Sequence, residues 1–526
     1  MTIREAPFRR VLIANRGEIA VRIIRACQEM GMEAVAVYSD ADVEAAHVRL
    51  ADRAVRIGPP APSESYLRID AVIEAAKATG AEAIHPGYGF LAERAAFARA
   101  AEESGIVFVG PPSQAIEELG DKLHARRLAA KVGVPSVPGT LEPAPVDHPD
   151  SVADLMATAR GVGFPLLVKA AAGGGGRGMR RVVREEDLAA ALVSGSREAL
   201  SAFGDGSVYL EREILPARHI EVQLVADNEG HVVALGERDC SLQRRHQKLV
   251  EEAPAPGLTE DQRRYLHGLA VTLGKAAGLR NAATCEFLHD RDGHFWFLEV
   301  NTRLQVEHGV TEMVAGVDIV REQFRIAAGR PLSPEVLAAG ERAATPSSHA
   351  IEVRISAEDP ARAFAPTPGR VGRWVMPAGP GIRVDTHIEA GDRVPADYDN
   401  LIAKLMVHAH DRDAAIDRLR RALDETEIGG VQTTLPFHRV VATSAAFRDG
   451  ELSTGWVDEH WDGEAARAEA VRRALLAAGL ASIAAGPAAA GMLASEALPW
   501  DGGPRPAGRN GWRNGGRAQG ADRWPI

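Results

Sequence analysis

Cysteine is scarce in this chain of 526 residues, which contains only Cys27, Cys240 and Cys285. The three lie far apart and show none of the paired spacings that zinc sites and disulfide frameworks require. The sequence therefore indicates neither a zinc centre nor a secreted, disulfide-bonded domain, and it fits a reducing compartment.

Long apolar segments are also missing. No window reaches the roughly twenty uninterrupted apolar residues of a transmembrane helix, and the charged N-terminus lacks the apolar core of a signal peptide. We therefore expect no membrane span and a cytoplasmic location. The formal net charge of −11 argues against general binding to nucleic acids or anionic membranes, but it permits a local basic pocket for small anions.

Lysine is rare, because arginine fills most of the basic positions in the sequence. A lysine that is retained in such a chain is a candidate for a site that needs a compact, point-like positive charge. The lysines are Lys77, Lys122, Lys131, Lys169, Lys248, Lys275 and Lys404.

The length and apolar content of the chain are sufficient for three or four domains. From residue 8 to residue 109, buried strands alternate with amphipathic helices. This alternation predicts a parallel, doubly wound sheet. The glycines of this region do not form G-x-G-x-x-G, so a dinucleotide site is not indicated.

The motif H-P-G-Y-G-F-L at residues 85–91 falls where a predicted strand ends. Such strand ends hold ligand groups in doubly wound sheets. An equally good interpretation is a Pro-Gly turn with Tyr88 packed as a lid on the core, and the motif alone leaves both open.

A glycine-rich segment, A-A-A-G-G-G-G-R-G-M-R, occupies residues 170–180 after a strand that ends in Lys169. Consecutive glycines let backbone N–H groups close around an anion. The spacing is not that of a P-loop, and flexible linkers can look similar. The flanking Lys169, Arg177 and Arg180 favour a phosphate-cradling loop.

Residues 295–312 read F-W-F-L-E-V-N-T-R-L-Q-V-E-H-G-V-T-E. If the run is extended, five polar side chains project from one face, since side chains alternate along a strand; they are Glu299, Asn301, Arg303, Gln305 and Glu307. Burying them requires metal, anion or mutual contacts, so we predict an anion-handling pocket. The alternative is a solvated edge strand. Residues 240–250, C-S-L-Q-R-R-H-Q-K-L-V, are either a second part of such a pocket or a solvated basic turn.

Together these motifs resemble, in content and order, the biotin carboxylase component of biotin-dependent acyl-CoA carboxylases, from about residue 8 to about residue 460. The motifs are Arg16-Gly17-Glu18, H-P-G-Y-G-F-L, Gly120-Asp121-Lys122, Lys169 with its glycine loop, Q-R-R-H-Q-K with E-E-A-P-A-P, and E-V-N-T-R-L-Q-V-E-H. The resemblance implies an α/β, ATP-grasp enzyme with three domains. These are a Rossmann-like domain at 1–118, an ATP-grasp domain at 119–335 with a lid at about 141–212, and an α+β C-terminal domain at 345–460. The composition of residues 461–526 separately predicts an Ala-rich helix and a disordered tail.

The resemblance also implies roles for individual residues. The ATP positions would be Lys122, Lys169, Gly175, Gly176, Glu211, Arg212, Ile214, His219, Gln243 and His246. The bicarbonate pocket would be Lys248, Arg303, Gln305 and the Val306 backbone, and the ligands of Mg²⁺ or Mn²⁺ would be Glu286, Glu299 and Asn301. Glu307 would act as general base, Arg354 would stabilise the biotin enolate, and Tyr88 would lie beside the biotin.

The implied reaction is the ATP-dependent carboxylation of carrier-bound biotin by bicarbonate through carboxyphosphate. The last lysine, Lys404, lies inside the matched region, so we expect the biotin carrier on another polypeptide, unless the chain is a shortened form of a longer one. The resemblance further implies two partners, which are a second copy of this chain in a homodimer and a separate carboxyltransferase subunit. The acyl-CoA that finally accepts the carboxyl group stays open.

The chain departs from the family pattern at two places. Gly309 stands where the family commonly has Pro, and Ala92-Glu93-Arg94 stands where it has Ser-Glu-Asn. Neither departure removes a proposed catalytic side chain, but both leave the turnover rate and the fit to partners open.

Two other functions compete with this interpretation. An ATP-grasp carboxylate–amine ligase would share the glycine loop and the metal face but would not need the bicarbonate residues. A non-catalytic scaffold that binds nucleotide and organises partner subunits would not need Lys248, Arg303 and Glu307.

Overall fold

The computed structural model describes residues 6–146, 148–171 and 179–493 of the chain. Gly175 and Gly176 of the predicted phosphate loop lie outside the described residues, as does the C-terminal segment from residue 494 onwards.

The first part of the chain forms an open sheet with helices on its faces. Its elements, in chain order, are β1 (Arg10–Ile13), α1 (Gly17–Glu29), β2 (Glu33–Ser39), α2 (Ala46–Leu50), β3 (Arg53–Gly58), α3 (Ile69–Thr79), β4 (Ala83–His85), α4 (Ala95–Glu103), β5 (Val107–Phe108) and α5 (Ser113–Gly120). The five strands are parallel and lie in the order β3-β2-β1-β4-β5. The predicted parallel, doubly wound sheet is therefore confirmed.

A small antiparallel sheet follows, in the region predicted to be the lid. The elements are α6 (Lys122–Lys131), α7 (Pro149–Val162), β6 (Leu166–Ala170), β7 (Arg180–Val182), α8 (Leu188–Phe203) and β8 (Val208–Arg212). The three strands lie in the order β7-β6-β8. Helices α7 and α8 bury Leu155, Leu188 and Leu192 against this sheet.

The remaining strands and helices run from residue 218 to residue 493. They are β9 (Arg218–Ala226), β10 (Val232–Arg244), β11 (Gln247–Ala253), α9 (Glu260–Ala276), β12 (Asn281–His289), β13 (Phe295–Asn301), α10 (His308–Ala315), α11 (Ile319–Ala327), α12 (Pro334–Arg342), β14 (His349–Ser356), β15 (Glu358–Asp359), β16 (Ala365–Pro366), β17 (Gly369–Arg370), β18 (Trp374–Val375), β19 (Ile382–Thr386), β20 (Arg393–Val394), β21 (Leu401–Ala409), α13 (Arg412–Glu425), β22 (Glu427–Ile428), α14 (Leu435–Thr443), α15 (Ala445–Arg448), α16 (Trp456–His460) and α17 (Gly463–Leu493).

Eight of these strands form one antiparallel sheet in the order β13-β12-β9-β10-β11-β14-β21-β19. The pairing of β11 with β14 joins the predicted ATP-grasp region to the predicted C-terminal region. Helices α13 and α14 cover β14 and β21 with an apolar core that includes Ile416, Leu419 and Phe437. Among the helices described, none has both the length and the apolar character to cross a membrane.

The predicted extended run over residues 295–307 is only partly correct. Strand β13 ends at Asn301, and helix α10 begins at His308. The Glu307 carbonyl accepts a hydrogen bond from the Val310 N–H at 3.3 Å, so Glu307 belongs to the first turn of the helix and not to a strand. The polar side chains of this run are therefore gathered by a strand, a turn and a helix start.

Helix α10 packs on strands β10, β11, β14 and β21, and the sheet there carries buried charges. Lys404 on β21 is fully buried, and its ammonium donates to the Val306 carbonyl at 2.8 Å. It lies 3.3 Å from a Glu18 carboxylate oxygen and 3.7 Å from one of Asp385. Lys404 therefore ties the segment before α10 to the N-terminal sheet domain.

We predict that replacing Lys404 with Met destabilises the protein by roughly 3–5 kcal/mol, because removing one partner leaves buried carboxylates uncompensated. Urea unfolding followed by circular dichroism measures the change. The matched control is Lys275→Met at an exposed position on α9, which we expect to stay within about 0.5 kcal/mol of the parent. Equal stability of the two variants would contradict the structural role of Lys404.

Candidate active site

Two of the lysines predicted to bind phosphate are paired with carboxylates. Lys169, on β6, forms an ion pair with Glu211 on β8, and Arg126 contacts the same carboxylate. Burial acts to raise the pKa of Glu211, but the attraction of Lys169 and Arg126 outweighs it and lowers the pKa. Lys122 lies 2.6 Å from Glu299. Both lysines therefore have carboxylate partners in this structure.

The other predicted nucleotide residues lie on neighbouring segments. Arg212 ends β8, and Ile214 follows two residues later. His219 is the second residue of β9, and Gln243 is the last but one of β10. Gln243 and His219 are within hydrogen-bonding distance, at 3.5 Å. His246 is exposed in the turn between β10 and β11 and has a left-handed backbone with φ of 66°. The predicted nucleotide residues therefore lie on β8 of the three-stranded sheet, on β9 and β10 of the eight-stranded sheet, and in the segments that follow β8 and β10.

The predicted metal ligands meet on β12 and β13. The strand register places Glu286 opposite Glu299, and Asn301 follows two residues later. One Glu286 oxygen accepts from the Asn301 amide at 2.9 Å and from Lys248 at 2.9 Å, and the other lies 2.9 Å from His219 Nε2. Carboxylate and amide oxygens form a donor set that fits Mg²⁺ or Mn²⁺.

Arg303 lies above this group and is held from three sides. Its Nε donates to Glu93 at 2.8 Å, and its two terminal nitrogens donate to Asn301 at 3.0 Å and to Gln305 at 2.9 Å. Gln305 in turn donates to Glu286 at 3.3 Å. The structure thus brings together the predicted bicarbonate residues and the predicted metal residues, and it adds Glu93.

Glu307 is completely buried, and its carboxylate lies between two cations. One oxygen accepts from Lys248 at 2.7 Å and the other from Arg354 at 2.9 Å. Burial acts to raise the pKa of Glu307, but Lys248 and Arg354 outweigh it and hold the pKa well below its usual range. The carboxylate is therefore ionised. Its charged hydrogen-bond partners are Lys248 and Arg354, and the Cys240 thiol donates weakly to the oxygen that Lys248 contacts, at 4.0 Å. No hydrogen bond between Glu307 and Arg303 is formed among the described residues.

Tyr88 and Arg354, the predicted biotin residues, face the same region. The Tyr88 hydroxyl donates to the Glu18 carboxylate, and the half-buried ring packs against the N-terminal core. Arg354 donates from Nε to Glu251 at 2.6 Å. Burial raises the pKa of Tyr88 well above its usual value, and the charge of Arg354 acts in the opposite direction. Tyr88 is therefore neutral, with its hydroxyl fixed by Glu18.

Sequence reasoning missed several buried charges that complete the site. They are Glu18, Glu221, Arg238 and Glu251, and the exposed Glu93 joins them through its contact with Arg303. Arg238 pairs with Glu221 on the adjacent strand and donates to Thr311 of α10 at 2.8 Å. The available signal was the alternation in β9, where the polar His219, Glu221 and Gln223 share one face. The apolar Ile220, Val222 and Leu224 lie on the opposite face.

Gly309, one of the departures from the family pattern, has a packing explanation. A Cβ atom at this position would overlap the sulfur of Met406 and would lie 3.6 Å from a Glu352 oxygen. Met406 on β21 is fully buried beneath α10. Its side chain therefore fills the space that a larger residue at 309 would occupy.

We predict that Gly309→Ala destabilises the protein by about 1–3 kcal/mol through overpacking. Met406→Val should relieve part of this cost, so the double variant should be more stable than the sum of the two single effects predicts. Urea unfolding of the four proteins gives the coupling energy. Strictly additive effects would show that the two residues do not compete for the same space.

Family comparisons match three successive segments of the chain. Residues 7–116 match the model described as "Biotin carboxylase, N-terminal domain". Residues 121–335 match "Carbamoyl-phosphate synthase L chain, ATP binding domain", and residues 352–459 match "Biotin carboxylase C-terminal domain".

Similar proteins carry related names. The chain is 48% identical over 453 residues to the biotin carboxylase of Pseudomonas aeruginosa, and the match covers 86% of this chain and 98% of that protein. It is 47% identical over 457 residues to the alpha3 subunit of a biotin-dependent acyl-coenzyme A carboxylase from Mycobacterium leprae, with 86% and 75% covered.

Among solved structures, a biotin carboxylase complex with β,γ-ATP from Campylobacter jejuni is similar to this chain, with a TM-score of 0.81 and 43% sequence identity. The match covers 86% of this chain and 99% of that chain. A second similar structure is the biotin carboxylase domain dimer of Hydrogenobacter thermophilus 2-oxoglutarate carboxylase, with MgADP, ADP and bicarbonate. Its TM-score is 0.80 at 45% identity, with 86% and 98% covered.

Proposed function

The chain belongs to the biotin carboxylase family of ATP-grasp enzymes, and from this premise we propose how its own residues carry out the reaction. The predicted activity, ATP-dependent carboxylation of biotin by bicarbonate, is confirmed at the level of the family. The roles of individual residues below are our proposal, and the position of Glu307 between Lys248 and Arg354 is the observation that carries it.

ATP is bound where Lys122 and Lys169 meet Glu299 and Glu211. The ion pairs of Lys122 with Glu299 and of Lys169 with Glu211 support this assignment, because nucleotide phosphates can replace the two carboxylates as partners of the lysines. His219, Gln243 and the segment after β8 line the nucleoside side of the same path. Glu286, Glu299 and Asn301 hold Mg²⁺, or alternatively Mn²⁺, which when bound neutralises charge on the phosphates.

Bicarbonate binds among Lys248, Arg303, Gln305 and the Val306 N–H. Bicarbonate is a weak nucleophile until it loses its proton, and Glu307 takes that proton as a general base. A bicarbonate oxygen then bonds to the γ-phosphorus, the bond to the β-phosphate oxygen breaks, and ADP and carboxyphosphate result. Since the anions draw Lys248 toward themselves, its ion pair with Glu307 weakens when the substrates are present.

Carboxyphosphate then divides into CO₂ and phosphate, and the phosphate accepts the proton of the biotin ureido nitrogen. Arg354 lies where its guanidinium can stabilise the resulting enolate oxygen, and Tyr88 lies beside the biotin. The nitrogen finally bonds to the carbon of CO₂. Each charged intermediate therefore has a fixed cation near it.

We infer that biotin reaches the site on a separate carrier polypeptide in the cytoplasm, and that a carboxyltransferase subunit uses the carboxybiotin. The name of one relative, an "alpha3 subunit", supports partner polypeptides, and the similar domain dimer supports a homodimer. The domain bounds 1–118, 119–335 and 345–460 stay predictions, and the three matched segments support them.

The first experiment measures ADP release by the full chain with MgATP. The proposed function predicts that release depends on bicarbonate and is accelerated by free biotin. A carboxylate–amine ligase would show neither effect, and a scaffold would show no turnover, so either result would overturn the proposal.

We predict that Glu307→Gln lowers bicarbonate-dependent ADP release on the order of 10²- to 10⁴-fold, the usual contribution of a general base. Glu335→Gln, an exposed change on α12, is the matched control and should retain the parent rate. Turnover of Glu307→Gln at the parent rate would exclude Glu307 as the base.

A further inference from the structure

The Arg354 side chain contacts a second carboxylate besides that of Glu307. Its Nε donates to Glu251 at 2.6 Å, while a terminal nitrogen donates to Glu307 at 2.9 Å. Both carboxylates are fully buried. The guanidinium therefore bridges two carboxylates, of which the mechanism above uses only one.

The backbone of Arg354 is fixed independently of these contacts. Its carbonyl accepts from the Thr434 hydroxyl at 2.8 Å and lies 2.6 Å from His438 Nε2. Because the backbone is held in place, the direction of the side chain is set by its two carboxylate partners. One of those partners changes charge during the reaction, since Glu307 becomes neutral when it takes the bicarbonate proton.

We propose that Glu251 is a positioning residue for Arg354, which keeps the guanidinium aimed at the biotin site during the stage in which Glu307 is protonated. This inference rests on the proposed function. With Glu307 neutral, the strong charge-assisted bond to Arg354 is weakened, and Glu251 is the remaining anion in direct contact with the guanidinium among the described residues. The arginine is then held in place while its terminal nitrogens are free for the ureido oxygen.

The electrostatics of the two carboxylates support this division of roles. Burial raises the pKa of Glu251 to about 7, with Arg354 lowering it and the negative charge of Glu307 raising it further. Protonation of Glu307 removes that repulsion, so Glu251 becomes more fully ionised at the stage in which Arg354 needs it.

Glu352 provides a contrast within the same sheet. It lies directly opposite Glu251 in the pairing of β11 with β14 and is equally buried. Neither of its carboxylate oxygens has a hydrogen-bond partner in the described structure, and burial raises its pKa well above the usual value. Glu352 is therefore a neutral carboxylic acid, and replacing it with Gln changes little in charge or shape.

The test compares two rates in the full chain with MgATP and bicarbonate: ADP release without biotin, which requires Glu307, and the added release caused by free biotin, which also requires Arg354. For Glu251→Gln we expect the biotin-dependent increment to fall on the order of 10- to 100-fold. The biotin-free rate should stay within a factor of about two of the parent. Glu352→Gln should leave both rates within the same factor.

Equal losses of both rates in Glu251→Gln would indicate a merely structural role and would overturn the inference. An unchanged biotin-dependent increment in Glu251→Gln would overturn it too. So would a loss of this increment in Glu352→Gln that equals the loss in Glu251→Gln. If Glu251→Gln does not fold, Glu251→Asp gives the answer, because it keeps the charge but shortens the reach. Its biotin increment should be reduced and its biotin-free rate retained, and any other pattern overturns the inference. Absence of bicarbonate-dependent release in the parent would instead refute the proposed function.

Discussion

The ion pairs of the buried Glu307 carboxylate with Lys248 and Arg354 are the constraint on which the site depends. A charge removed from water is costly unless it is paired and hydrogen-bonded. Around Glu307 each cation is shared, since Lys248 also contacts Glu286 and Glu221, and Arg354 also contacts Glu251. In the ligand-free structure these charges therefore compensate one another in a network of ion pairs.

The architecture explains how such a network is assembled. Glu286, Lys248 and Arg354 come from strands β12, β11 and β14 of one sheet, and helix α10 presents Glu307 above that sheet. The N-terminal domain contributes Glu93 to Arg303 and Glu18 to Lys404. The site is therefore formed only when all three parts of the chain pack together, which couples the stability of the fold to the pairing of its charges.

Local patterns were sufficient to predict the parallel N-terminal sheet, and the ordered motifs led to the correct family. The predicted extended conformation of residues 295–307 was wrong beyond Asn301. Strand pairing ends there because the start of a helix at Glu307 competes for the same backbone groups. Glu93 and Glu251 were missed because their partners are distant in the sequence. Glu93 contacts Arg303, 210 residues away, and Glu251 contacts Arg354, 103 residues away. Such contacts depend on tertiary packing, which neither periodicity nor composition reports.

The most direct test of this account is the ionisation of Glu307 in the ligand-free protein. Carbon-13 NMR of protein labelled at the glutamate side-chain carboxyl, with the Glu307 signal assigned by its loss in Glu307→Gln, follows that group with pH. We predict that the signal keeps the ionised chemical shift between about pH 8 and pH 5, because its pKa lies well below the ordinary value of about 4.3. A titration of this signal near or above pH 6 would contradict the account.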